Sequence, residues 1–152
     1  MRRSIIVLMV LCLNVKLDAQ AYWIYVQAEE LYNGNDSVEP NHIRAAFLYE
    51  KAAKMGCPMA EEKLSNCYYI GEGVALSKRK AFFWCKRAAK HGLASSQYLL
   101  GYYYAVGEGC VQSHSKAYKW YYMAANRGNQ NAIDFLQSVS LYNRVIHSWP
   151  NQ

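Results

Sequence analysis

Three things are missing from this sequence, and each absence removes a class of function. No apolar run is long enough for a confident membrane span. The longest near the start, 5–13, falls well short of the roughly 20 residues that a spanning helix needs. No run of lysine and arginine exceeds Lys78-Arg79-Lys80, which reads as the solvated start of a helix, so nucleic acid is not indicated. None of His42, His91, His114 and His147 lies at a metal-ligand spacing from another histidine or a cysteine, so no metal and no cofactor is assigned. What remains can build a core. Hydrophobic residues make up 53% of the 152 and charged residues 18%, so this is not a disordered tail, and the length allows one domain.

The first residues read as a separate object. Arg2 and Arg3 precede the apolar run, and Ala19-Gln20-Ala21 follows it. A positive start, a short apolar stretch and a small-x-small site are the pattern of a secretory signal peptide over 1–21. Export to the periplasm or the exterior of a bacterial cell is therefore expected, with a mature chain starting near Gln20 or Tyr22. A helix over 4–16 with few contacts to the rest is expected too. The membrane enters only through this segment before cleavage. Losing three cations and one anion leaves a mildly basic protein of about +4 at neutral pH, from a formal +6.

The rest of the chain repeats itself. RAAFLYEKAAKMG, KAFFWCKRAAKHG and KAYKWYYMAANRG begin at 44, 80 and 116, a constant step of 36 residues. A period of that size is the signature of stacked helical hairpins. Within each copy, residues spaced i, i+3, i+4, i+7, i+8 form one stripe: Ala81, Trp84, Cys85, Ala88 and Ala89 in one, Ala117, Trp120, Tyr121, Ala124 and Ala125 in the next. Ala45, Leu48, Tyr49, Ala52 and Ala53 repeat it earlier. Trp84 and Trp120 are expected to be buried at equivalent places. Each helix ends at Gly56, Gly92 or Gly128. Another helix precedes each, marked by Ala60, Leu64 and Tyr68, then Ser96, Leu100 and Tyr104. The two are joined by Gly71-Glu72-Gly73-Val74 or Gly107-Glu108-Gly109-Cys110, where paired glycines permit a tight reversal. Ser77 and Ser113 are placed to cap the helices that follow, and Pro40-Asn41 does the same in the first unit. The reading is 22–59 as a degenerate first repeat, 60–95 and 96–131 as full repeats, and 132–152 as a capping helix and tail. Pro150 ends the tail.

The unit A-x-x-x-L-G-x-x-Y-x-x-G-x-G-V followed by K-A-x-x-W-Y-x-x-A-A-x-x-G resembles the Sel-1-like repeat, a relative of tetratricopeptide repeats. Ser65, Cys85 and Cys110 depart from the pattern. The resemblance implies an all-α, short right-handed α/α solenoid of antiparallel helix pairs. It also implies an adaptor role: a non-catalytic module that binds a protein or peptide partner. By analogy with tetratricopeptide repeats, the first helix of each pair lines a concave face. Its variable positions are Glu62, Asn66 and Tyr69 in one unit and Tyr98, Tyr102 and Ala105 in the next, with Glu30 and Asn33 before them. Exposed tyrosines give large contact area at low entropic cost, so Glu62, Asn66, Tyr69, Tyr98 and Tyr102 are the candidate binding residues.

One enzymatic alternative accompanies the resemblance, because some cysteine-rich secreted members carry a β-lactamase label. Ser77-x-x-Lys80 and Ser113-x-x-Lys116 both spell the S-x-x-K of that chemistry, but no S-D-N or K-T-G follows. A nucleophile would not recur once per structural unit, so no catalytic residue is assigned. Cysteine-rich members repeat their cysteines in one register, whereas Cys57, Cys67, Cys85 and Cys110 occupy four. Cys57 and Cys67 lie about 15 Å apart along one helix, too far to bridge. Cys67 with Cys85 is the one pair considered, against the alternative of buried thiols. Asn35-Asp36-Ser37 spells a glycosylation sequon and reads as loop chemistry.

Overall fold

The computed structural model describes the backbone of 2–34 and 39–148 and the side chains of 17–34 and 39–140. Among these residues the chain is all helix: α1 (Arg2–Asn33), α2 (His42–Lys54), α3 (Pro58–Ile70), α4 (Lys78–Lys90), α5 (Ala94–Val106), α6 (His114–Asn126) and α7 (Gln130–Ser148). The helices that carry the 36-residue period are equal in length, and their connections are short, which makes neighbours antiparallel. The chain divides into two compact units, Met1–Trp84 and Cys85–Gln152. Repeats bury their faces against near neighbours and need no common core.

In the first unit α1 packs on α2 and α2 on α3. The stripe of α2 holds: Ala45, Tyr49, Ala52 and Ala53 are buried, and the small alanines admit a helix at close range. Asn41 Oδ1 accepts from the Arg44 amide and caps α2. The helix over 4–16 is present, continuous with α1, though its side chains lie outside the described residues. Residues 17–20 are exposed, and burial begins at Ala21, Ile24 and Ala28. Among the described side chains of α1, the first buried one is Ala21. The sequon and Pro150 also lie outside the described residues.

In the second unit α5 packs on α6 and α6 on α7. The capping helix α7 runs to Ser148. One expectation fails here. Trp84 is buried at 7% exposure, but Trp120 is only half-buried, and so is Ala125. Among the described residues one helix follows α6 and no second helix pairs with it, so Trp120 lacks part of the cover that Trp84 has.

The glycine loops behave as one device. Gly71, Gly73, Gly107 and Gly109 all have positive φ, between 71° and 80°. The Gly71 amide donates to the Cys67 carbonyl and the Gly107 amide to the Tyr103 carbonyl, both at 2.9 Å. Gly73 is doubly constrained, because a Cβ there would lie 2.1 Å from the His42 carbonyl oxygen.

Candidate functional site

The S-x-x-K pairs are explained by the repeat itself. Ser77 Oγ accepts from the Lys80 amide and Ser113 Oγ from the Lys116 amide, each at 3.4 Å, so both serines cap helices. The lysine ammonium groups point elsewhere. Lys80 Nζ lies 4.9 Å from the Tyr68 ring centroid, and Lys116 Nζ lies 5.4 Å from that of Tyr104. A cation over a tyrosine face thus recurs at the same register, and it accounts for the repeated lysine. Cys57, Cys67, Cys85 and Cys110 are free thiols, the first three buried, so Cys67 and Cys85 are not bridged. Cys85 Sγ donates to the Ser96 carbonyl at 3.3 Å. Burial pushes the Cys67 thiol up to about 11, which keeps it protonated and unreactive.

In the first unit the candidates Glu62, Asn66 and Tyr69 follow i, i+4, i+7 on α3 and share one face. Asn66 is exposed; Glu62 and Tyr69 are half-buried. The Lys78 ammonium sits 3.1 Å from the Tyr69 ring centroid and covers one of its faces. Glu30 and Asn33 of α1 are exposed.

Sequence reasoning missed what stands beside them. Glu29 of α1 accepts from the Tyr49 hydroxyl of α2 and from Lys63 Nζ of α3, the latter at 2.9 Å. Glu72, in the glycine loop, accepts from the Tyr32 hydroxyl at 2.5 Å and pairs with His42 Nδ1 at 3.4 Å. Tyr32 also meets the His42 ring edge-on, centroids 4.9 Å apart. The hydrogen bond to Glu72, with burial, pushes the Tyr32 phenol up to about 12. Burial first, then the bond to Glu29, raises Tyr49 as well. The only signal in the sequence was that Tyr32 occupies the register of Tyr68; Glu72, the acid it meets, is a neighbour in space 40 residues on in the chain.

In the second unit Tyr98 and Tyr102, at i and i+4 of α5, share a face, and neither is buried. Tyr98 is half-buried because its ring lies 5.4 Å from that of Tyr121, which in turn lies 4.4 Å from Phe135 of α7. Tyr121 is seated on Gly101, where an added Cβ would lie 2.7 Å from the tyrosine ring. Ser65 and Cys85 stand at the registers of Gly101 and Tyr121 one repeat earlier. Ser65 Oγ donates to the Ala81 carbonyl at 2.9 Å. Gly101 is bare because a large ring needs its surface, and Ser65 meets a carbonyl. Tyr103 and Tyr104, beside Tyr102, are buried and belong to the core. Two surface hollows complete the picture. One of about 420 Å³ in the first unit is lined by Leu31, Ile43, Arg44, Phe47 and Leu48. One of about 380 Å³ in the second is lined by Tyr118, Lys119, Tyr122 and Met123.

Among the described residues, no group of three or more histidine, cysteine and acidic side chains converges as metal ligands would. No described helix is long and apolar enough to cross a membrane.

Comparison with known proteins accounts for this pattern. Residues 28–57, 58–93 and 94–129 each match the Sel1 repeat. A Sel1 repeat protein from Oxalobacter formigenes is 32% identical, with 82% of this chain and 96% of that one aligned at a TM-score of 0.71. The protein c5321, a protective antigen of uropathogenic Escherichia coli with an SLR fold, is also 32% identical at a TM-score of 0.73. The alignment covers 76% of this chain but spans only a quarter of the antigen's length. Helicobacter pylori cysteine rich protein B, 23% identical over 78% of this chain and 93% of its own, shares the fold at a TM-score of 0.64. The comparison with curated proteins found no match. With three matched repeats across most of its length, and helical hairpins to house them, the chain belongs to the Sel1 repeat family.

Proposed function

We propose that this chain is an exported, non-catalytic interaction module that holds a protein or peptide on the exposed faces of its first helices. Sel1 repeats are typically protein-binding modules. The observation that carries the assignment here is exposed Tyr102 with half-buried Tyr98 one turn before it on α5, both outside the buried stripe of Leu100 and Tyr104. α5 has no charged residue, so its face offers aromatic area and hydroxyl groups, a surface suited to anchoring an extended or helical segment. Glu62, Asn66 and Tyr69 serve as the corresponding positions of the first unit. Catalysis is not part of the reading: both S-x-x-K serines are used as caps, and both lysines lie against tyrosine rings.

Export supplies the compartment, periplasmic or secreted, in a bacterial host. Burial starting at Ala21 gives the cleavage a consequence. A mature chain beginning at Gln20 retains Ala21 in its buried place, and one beginning at Tyr22 loses it. N-terminal sequencing of the secreted protein decides between them, and recovery of the full-length chain in the cytoplasm refutes export. The binding assignment is tested by capture from a native envelope extract with the mature protein and with Tyr98→Ala and Tyr102→Ala. Loss of a specific partner in the variants supports it; equal capture refutes it. A chromogenic β-lactam should not be turned over; hydrolysis abolished by Ser77→Ala or Ser113→Ala would restore the enzymatic alternative.

A further inference from the structure

The exposed face of α6 has a different character from that of α5. Ala117, Tyr121 and Ala124 turn inward, and Tyr121 meets Gly101 and Tyr98 of α5. At 100° per residue, Tyr118, Lys119, Tyr122 and Met123 then lie on the opposite side. Tyr118 is 53% exposed, Tyr122 54% and Met123 42%, unusual values for three large side chains around one hollow. Exposed Lys119 stands among them.

The charge around this hollow is one-sided. α6 has no acidic residue. The whole second unit holds seven lysines and arginines against Glu108 and Asp134. Asp134 is engaged by the Gln130 amide at 2.7 Å, and among the described residues no carboxylate lies within ion-pair distance of Lys119. Lys116 and Arg127, at either end of α6, are exposed cations. The hollow on α2 differs, because that helix carries its own Glu50–Lys54 ion pair at 2.8 Å.

We propose that the α6 face docks an acidic segment of a partner protein, with one large apolar side chain entering the hollow and a flanking carboxylate meeting Lys119. A hollow of about 380 Å³ between side chains takes a protruding anchor, which a lipid surface does not provide. The flanking cations steer and orient an acidic chain. This surface is separate from the tyrosines of α5, so it is a second contact and not a restatement of the first.

Selection of random dodecapeptides on the full chain tests it. The recovered peptides should carry aspartate or glutamate beside a leucine or an aromatic residue, and their binding should weaken with salt. Lys119→Glu and Tyr122→Ala should each weaken them by about tenfold or more, with unchanged helix content, while Phe47→Ala, at the exposed hollow on α2, leaves them bound. The proposal is overturned if selection yields no acidic enrichment, or if Lys119→Glu binds equally well. It is also overturned if Phe47→Ala causes the same loss, or if vesicles of phosphatidylcholine and phosphatidylglycerol alone bind the chain in a Lys119-dependent way.

Discussion

The two units of this protein use one hairpin template and finish it differently. The first, Met1–Trp84, contains nearly balanced charge, ten lysines and arginines against nine acids. It uses several of those acids internally. Glu29 joins α1, α2 and α3 through Tyr49 and Lys63, and Glu72 ties its glycine loop to Tyr32 and His42. The second unit, Cys85–Gln152, has a net charge of +5 and closes on an aromatic stack, Tyr98, Tyr121 and Phe135, over a bare Gly101. The template fixes caps, glycine loops and the alanine stripe. The remaining positions decide whether polar groups are consumed inside the unit or presented outside it.

The largest expected effect concerns what the units share. Gly73→Val should cost about 4 kcal/mol, since it combines a left-handed backbone with a collision against the His42 carbonyl. Glu108→Ala, in the other loop, should cost under about 1 kcal/mol by denaturant unfolding. Equal losses would mean that the loop is not a shared device.

Next comes the unequal burial of the two tryptophans. Trp84→Ala should cost about 3–5 kcal/mol, as a core aromatic does, and half-buried Trp120→Ala about half as much. Equal costs would break the claim that the end of the second unit is thinly covered. Gly101→Ala should follow, at about 1–3 kcal/mol through overpacking against Tyr121. A neutral result would remove the aromatic stack as the reason for that glycine.

The smallest effect concerns the Tyr32–Glu72 bond and is read by pH. Tyr32 has a folded pKa raised to about 12, so its contribution is complete below the unfolded value near 10 and is lost as pH climbs through about 12. Tyr32→Phe should therefore cost about 1 kcal/mol at neutral pH and flatten the alkaline decline in stability. An unchanged decline would show that the Glu72 bond is not its source.

Much of the fold was legible because it rests on local chemistry repeated at a fixed step. A serine before a helix, a glycine after one and alanines at helical spacing each act within a few residues. The half-burial of Trp120 was not legible, because it depends on how many helices follow and not on its own sequence context. Glu29, Lys63 and Glu72 were not legible either; they meet tyrosines on other helices, and nothing near them in the chain signals those contacts. For the candidate site, α5 and α3 registers followed from the period. That the Tyr69 ring carries Lys78, and that α6 turns Tyr118, Tyr122 and Met123 outward, emerged only in three dimensions.

The central claim is that the template carries stability while the variable tyrosines carry binding. A direct test measures the melting temperature and the partner Kd of Tyr102→Ala, whose side chain is exposed and outside the Tyr98, Tyr121 and Phe135 stack, side by side with the wild-type chain. A Kd weaker by about tenfold or more is expected, with a melting temperature almost unmoved. A large fall in melting temperature, or an unchanged Kd, would contradict it.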